Sequence, residues 1–139
     1  MSDPEYVTAQ ELLALHAHAI ERYGGAPGVR DWGALESSLA QPAMRVFDYE
    51  RFASLHEKAA AYCFFIVRNH PFADGNKRAG FLAGLHFLLK NGVVPFFDED
   101  ETLRMIAAVA AGSTGLKELT RLFEWATAPD LRRHDGQQA

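Results

Sequence analysis

Nine consecutive residues, His70-Pro71-Phe72-Ala73-Asp74-Gly75-Asn76-Lys77-Arg78, bring an imidazole, a carboxylate, a glycine, an amide and two cations into one short stretch. Histidine is the only side-chain type among them that exchanges a proton near neutrality, so His70 is the candidate general base. Gly75 permits a tight turn that would aim successive backbone N–H groups, such as those of Gly75 to Lys77, at one point. At a helix start the unpaired amides and the dipole coincide, which makes an anion, and a phosphate above all, the natural ligand. Lys77 and Arg78 place full positive charge at the same end, where cations are unfavourable unless an anion is bound. Asp74 has the chemistry to hold Mg²⁺ together with phosphate oxygens. Asn76 can donate to a phosphate, and Phe72 is expected to pack inward and anchor the loop. The plain alternative is an ordinary helix start capped by Asp74 or Asn76, with both cations in solvent. The order of the nine residues and their setting favour the phosphate-binding loop.

That loop must be delivered by one helix and fixed by another. Ser54, with Glu57 three residues on, predicts a capped helix start, and Leu55, Ala59, Tyr62, Cys63 and Ile66 follow at helical spacing. Pro71 disfavours helical geometry at His70, so this helix should stop near Asn69. Ala79 to Leu89 is apolar except for His86, and the run from Lys77 to about Lys90 has the pattern of a buried helix. Gly80 and Gly84 lie on it at a spacing that suits close approach of a neighbour, and Asn91-Gly92 ends it.

Around this pair, Thr8 and Glu11 form a capping box before Leu12, Leu13, His16, Ile20 and Tyr23. His16 and His18 point to different faces, which argues against a shared metal there. The Tyr23–Asp31 stretch, rich in glycine, predicts a loop, a flap or a short hairpin near residues 24–31. Asp31 opens a further helix lined by Leu35, Leu39 and Ala43 and ending near Pro42. Phe47 to Phe52 shows no period and reads as a turn. The acidic run Asp98–Glu101 reads as a solvated helix start, with a divalent-metal site as the alternative; Leu103, Ile106, Ala107 and Ala110 form that helix's stripe. Leu116, Leu119, Leu122, Phe123 and Ala126 make the last helix. The chain is therefore expected to be an all-α bundle of about six helices.

The 139 residues suit one domain. A net charge of −4 argues against direct nucleic-acid binding. The single cysteine, Cys63, cannot form an intrachain disulfide and reads as a small buried hydrophobe. The N-terminus lacks a signal-peptide pattern, and the longest apolar run, Ala79–Leu85, falls far short of the ~18 residues of a membrane span. A cytoplasmic protein is expected.

The nonapeptide resembles the signature of the Fic/Doc (Fido) superfamily, HxFx(D/E)(G/A)N(G/K)R. Lys77 stands where Fic proteins carry glycine, which places the resemblance with the Doc (death-on-curing) branch. Gly28-Val29-Arg30-Asp31 with Leu35-Glu36-Ser37 is similar to the family's flap and following helix, and the likeness runs over about residues 6–126 of a single Fic/Doc domain spanning 1–139, with 129–139 as a flexible tail. The resemblance implies His70 as base, Asp74 on Mg²⁺, and Gly75, Asn76, Lys77 and Arg78 on the phosphates of ATP or another nucleoside triphosphate. It also implies that Gly28, Val29 and Arg30 belong to a flap that docks the target. Lys77 implies a toxin that transfers the γ-phosphoryl group to elongation factor Tu and halts translation. AMP transfer to a protein hydroxyl is the alternative, and a catalytically silent antitoxin-binding module a third. Phe81 replaces the second arginine of self-inhibited Fic proteins, and Thr114–Glu118 matches the start of their inhibitory segment but runs on into Leu119; that match reads as coincidence. Inhibition is expected in trans, from a Phd-type antitoxin.

Overall fold

A computed structural model describes residues 3–128. Helices α1 (Ala9–Tyr23), α2 (Trp32–Ala40), α3 (Leu55–Asn69), α4 (Asn76–Lys90), α5 (Glu99–Ala111) and α6 (Leu116–Ala126) form the bundle, and one antiparallel hairpin, β1 (Arg45–Val46) with β2 (Tyr49–Glu50), joins α2 to α3. The all-α expectation holds. The expected tail at 129–139 lies outside the described residues.

Local chemistry sets the helix starts. Thr8 accepts from the Glu11 amide at 3.1 Å while Glu11 accepts from the Thr8 amide at 2.9 Å, and Ser54 and Glu57 repeat the exchange on α3. Asp31 and Asp98 cap α2 and α5 through the amides of Ala34 and Glu101. Each such cap contributes about 1 kcal/mol.

The core is organised on α3, whose Ala59, Ala60, Tyr62, Cys63, Ile66 and Val67 are buried against the other helices. Burial pushes the Cys63 thiol up to about 12, so it is an inert core residue. The Tyr62 hydroxyl accepts from the Val7 amide at 2.9 Å, which ties the N-terminal segment to this helix. Helix α4 crosses α3 at its glycines. A Cβ on Gly80 would stand 2.8 Å from Val67 Cγ2 and 2.9 Å from the Cys63 carbonyl; on Gly84 it would stand 2.8 Å from both the Ala59 carbonyl and Phe123 Cζ. Nothing larger than glycine fits without parting the helices. On the far side of α4, Glu11 of α1 bonds His86 at 2.7 Å and Lys90 at 2.8 Å, fixing α1 across it.

Three details depart from the sequence reading. The paired strands lie at 45–50, where a turn was expected, while residues 24–31 form an extended strap. The hairpin turn uses Phe47 and Asp48, both at positive φ (48° and 69°), in place of the Asn-Gly or Asp-Gly signal. Its root is Lys58, 2% exposed, which pairs with Glu50 at 3.0 Å and donates to the Phe52 carbonyl. On α5 the buried stripe is Thr102, Ile106 and Val109, and Leu103 is exposed; several alanines let either face pass for apolar. On α4 the burial is one-sided, with Leu89 in solvent and Phe81, Leu82 and Leu85 half-buried. No helix among the described residues is long and apolar enough to cross a membrane.

Two predictions follow from the packing. Gly84→Ala should lower the unfolding free energy by about 1–3 kcal/mol in urea denaturation, because the methyl meets a backbone carbonyl. Hydrogen bonds from Lys90 and then His86 hold the Glu11 carboxyl at about 2, below the ordinary 4.5. Its stabilising contribution is therefore complete above pH 4.5 and is lost as pH falls toward 2. Glu11→Gln should flatten the stability curve in that window.

Candidate active site

Helix α3 stops at Asn69, and His70 caps it in the left-handed conformation (φ 50°, ψ 56°), its amide bonded to the Ile66 carbonyl at 3.2 Å. The turn exposes His70 while Phe72 drops into the core. Asn76 holds the two together. Its carbonyl oxygen accepts from the Phe72 amide at 2.9 Å, its nitrogen donates to the Phe72 carbonyl at 3.0 Å, and that nitrogen lies 3.3 Å from His70 Nδ1. The Phe72 bonds determine which end of the amide is the NH₂, and among the described residues His70 Nε2 has no partner. The buried Asn76 side chain is thus spent on the loop itself. The contact that Asn76 can offer a phosphate comes from its backbone N–H.

Gly75, left-handed at φ 78°, turns the chain into α4, whose first turn has no capping side chain and no acid. Helices α1, α2, α3 and α5 each have a first-turn amide engaged by Thr8, Asp31, Ser54 or Asp98, and at α6 the Glu118 carboxylate takes the amide of the cap residue Gly115. Here those N–H groups stay open, with exposed Lys77 and Arg78 beside them. Lys77 has no ion-pair partner among the described residues, and the Arg78 guanidinium lies 4.1 Å over the Tyr23 ring. Asp74 is exposed; one carboxylate oxygen accepts from the Ala26 amide at 2.7 Å, and the other has no partner among the described residues. No cluster of three His, Cys, Asp or Glu side chains suited to a metal occurs among the described residues. The donor set fits Mg²⁺ held by one carboxylate plus phosphate oxygens, and does not fit an all-protein metal cage.

The strap of residues 24–31 is stitched to this loop. The Gly28 carbonyl accepts from the Ala73 amide at 3.1 Å, Val29 bridges Phe72, and the amides of Arg30 and Asp31 both donate to the Pro71 carbonyl at 2.7 and 3.0 Å. The Arg30 side chain turns back onto the end of α3, donating to the carbonyls of His70 and Asn69.

Beneath the turn sits a residue that periodicity alone placed only on a helix face. His16, 4% exposed, stacks on Phe72 with ring centroids 3.7 Å apart, and its Nε2–H donates to the Asp74 carbonyl at 2.7 Å. The available signal was a polar residue within an apolar stripe, which demands a buried partner. The Ala26 amide and the Tyr23 ring left no comparable trace. Phe81, in the second-arginine position, packs on Phe97 at 4.8 Å. Glu118 caps α6, and the backbone amides of Glu118 and Gly115 hold its carboxyl below the ordinary range.

An exposed histidine fixed beside an uncapped, cation-flanked helix start sets a proton acceptor at the edge of an anion site. Residues 6–88 match the Fic/DOC family model, and the chain belongs to that family, whose members modify proteins with a nucleotide co-substrate. It is 36% identical over 114 residues to the protein kinase Doc of Escherichia phage P1, covering 82% of this chain and 89% of that protein. It is 33% identical over 117 residues to toxin Doc of Mycolicibacterium smegmatis, covering 83% and 88% of the two chains.

His16→Leu keeps apolar bulk but strands the Asp74 carbonyl. It should cost about 1–3 kcal/mol in urea denaturation, with His16→Gln restoring part of the loss.

Proposed function

We propose that this protein is a Doc-type toxin that transfers the γ-phosphoryl group of ATP, or another nucleoside triphosphate, to a hydroxyl of a target protein, with elongation factor Tu as the expected target. The observation that carries the reading is Lys77, exposed and without an ion-pair partner among the described residues, beside the open amides of α4, whose first residue Asn76 contacts the His70 ring. The kinase name of the phage relative and the toxin name of the mycobacterial one favour the same choice.

In this reading His70 takes the proton of the target hydroxyl as its oxygen bonds to phosphorus and the bond to the departing nucleoside diphosphate breaks. The amides of Gly75 to Lys77, with the Lys77 and Arg78 side chains, hold the phosphate charge. Mg²⁺ on the free oxygen of Asp74 would neutralise phosphate charge and align the phosphates when bound. The strap carrying Gly28, Val29 and Arg30 borders the loop and would bound the side from which the target approaches. Residues 1–139 act as one Fic/Doc unit, since Leu119, Leu122 and Phe123, beyond the matched residues, share the core that buries α3 and α4. A Phd-type antitoxin would restrain the enzyme in trans in the cytoplasm, because Phe81 and Glu118 are committed to packing and capping.

Incubation with elongation factor Tu and either γ-labelled or α-labelled ATP tests the reaction. Label should pass from the γ-position only, and His70→Ala should lower the rate by about 10²–10⁴-fold. Transfer of α-label alone would establish AMP transfer instead. No labelled protein in any lysate, with growth unaffected by expression without antitoxin, would leave a silent binding module.

A further inference from the structure

We propose that Arg30 is a positioning residue for His70, holding the backbone from which the base projects, and that docking the target is not its task. This rests on His70 being the base of the transfer reaction.

The argument begins with a deficit. The last carbonyls of a helix lack intrahelical donors and are commonly satisfied by amides just past its end. Pro71, directly after the cap residue, has no N–H to give. His70 is itself left-handed without being glycine, a conformation that persists only where the surroundings impose it. Arg30 supplies what is missing. Its Nε donates to the His70 carbonyl at 2.8 Å, and its Nη2 donates to the same carbonyl at 2.5 Å and to that of Asn69 at 3.3 Å. The amides of Arg30 and Asp31 take the next carbonyl, that of Pro71. Three successive carbonyls, Asn69 to Pro71, therefore end on Arg30 and Asp31. A guanidinium at the C-terminus of α3 is also on the favourable end of the helix dipole.

His70 is thus clamped from two sides, by Arg30 through its carbonyl and by Asn76 at Nδ1. The fork geometry matters, because a lysine has one nitrogen where arginine here uses two. Arg30 is exposed and contributes no core packing.

The test is a double-mutant cycle with the full chain, γ-labelled ATP and elongation factor Tu as acceptor. Arg30→Ala should lower kcat by up to about 10²-fold, the scale of a displaced catalytic group, with KM for nucleotide and target unchanged. Arg30→Lys should recover part of the rate. In the His70→Ala background, Arg30→Ala should cost almost nothing further. A raised target KM with kcat retained, or an equal loss in both backgrounds, would overturn the proposal. If the wild-type chain transfers no label, the kinase reading fails on its own. The positioning claim is then decided by the His70 imidazole resonances, which should shift in Arg30→Ala while those of His56 stay in place. Unmoved His70 resonances would refute it.

Discussion

The crossing of α3 and α4 is the constraint on which the site depends. Two backbones meet where Gly80 and Gly84 carry no side chain, against the carbonyls of Cys63 and Ala59. The C-terminus of one helix and the N-terminus of the other are joined by only the residues 70–75. With helices held further apart, Asn76 on α4 could not reach both Phe72 and the His70 ring. Close packing in the middle of the molecule is therefore what allows one amide to organise its catalytic end.

Around that crossing the loop is held by donors from outside it. His16 takes the Asp74 carbonyl, Ala26 the Asp74 carboxylate, and Arg30 the end of α3. All three come from α1 and the strap, at the opposite end of the sequence from α5 and α6. The charge arrangement follows the same division. Among the described residues Asp74 is bonded through one oxygen and open at the other, while Lys77 stands free of ion pairs.

The elements were legible wherever local chemistry decides them. Thr8, Ser54 and Asp98 mark helix starts by side-chain type, Pro71 marks an end, and the glycine pair on α4 announces a close neighbour. What escaped reading was decided by tertiary contacts. The hairpin has two exposed residues per strand and a Phe-Asp turn, so neither alternation nor turn residues betray it, and Lys58 is buried only because Glu50 and the Phe52 carbonyl meet it there. The face of α5 was misread because alanine packs on either side. Within the motif, residue types pointed to the chemistry, but Asn76 faces inward and Arg30 toward His70, orientations that no spacing encodes.

The uncapped start of α4 has a further consequence. A helix that leaves its first amides without acceptors, and carries two cations in its first turn, is incomplete as a piece of protein, and each missing cap is worth about 1 kcal/mol. On the proposed reading the nucleotide's phosphates supply that cap, so part of the fold is contributed by a metabolite. The molecule would then be most rigid when loaded and loosest when nucleotide is scarce, and its lifetime in the cell would track the energy supply that its reaction consumes.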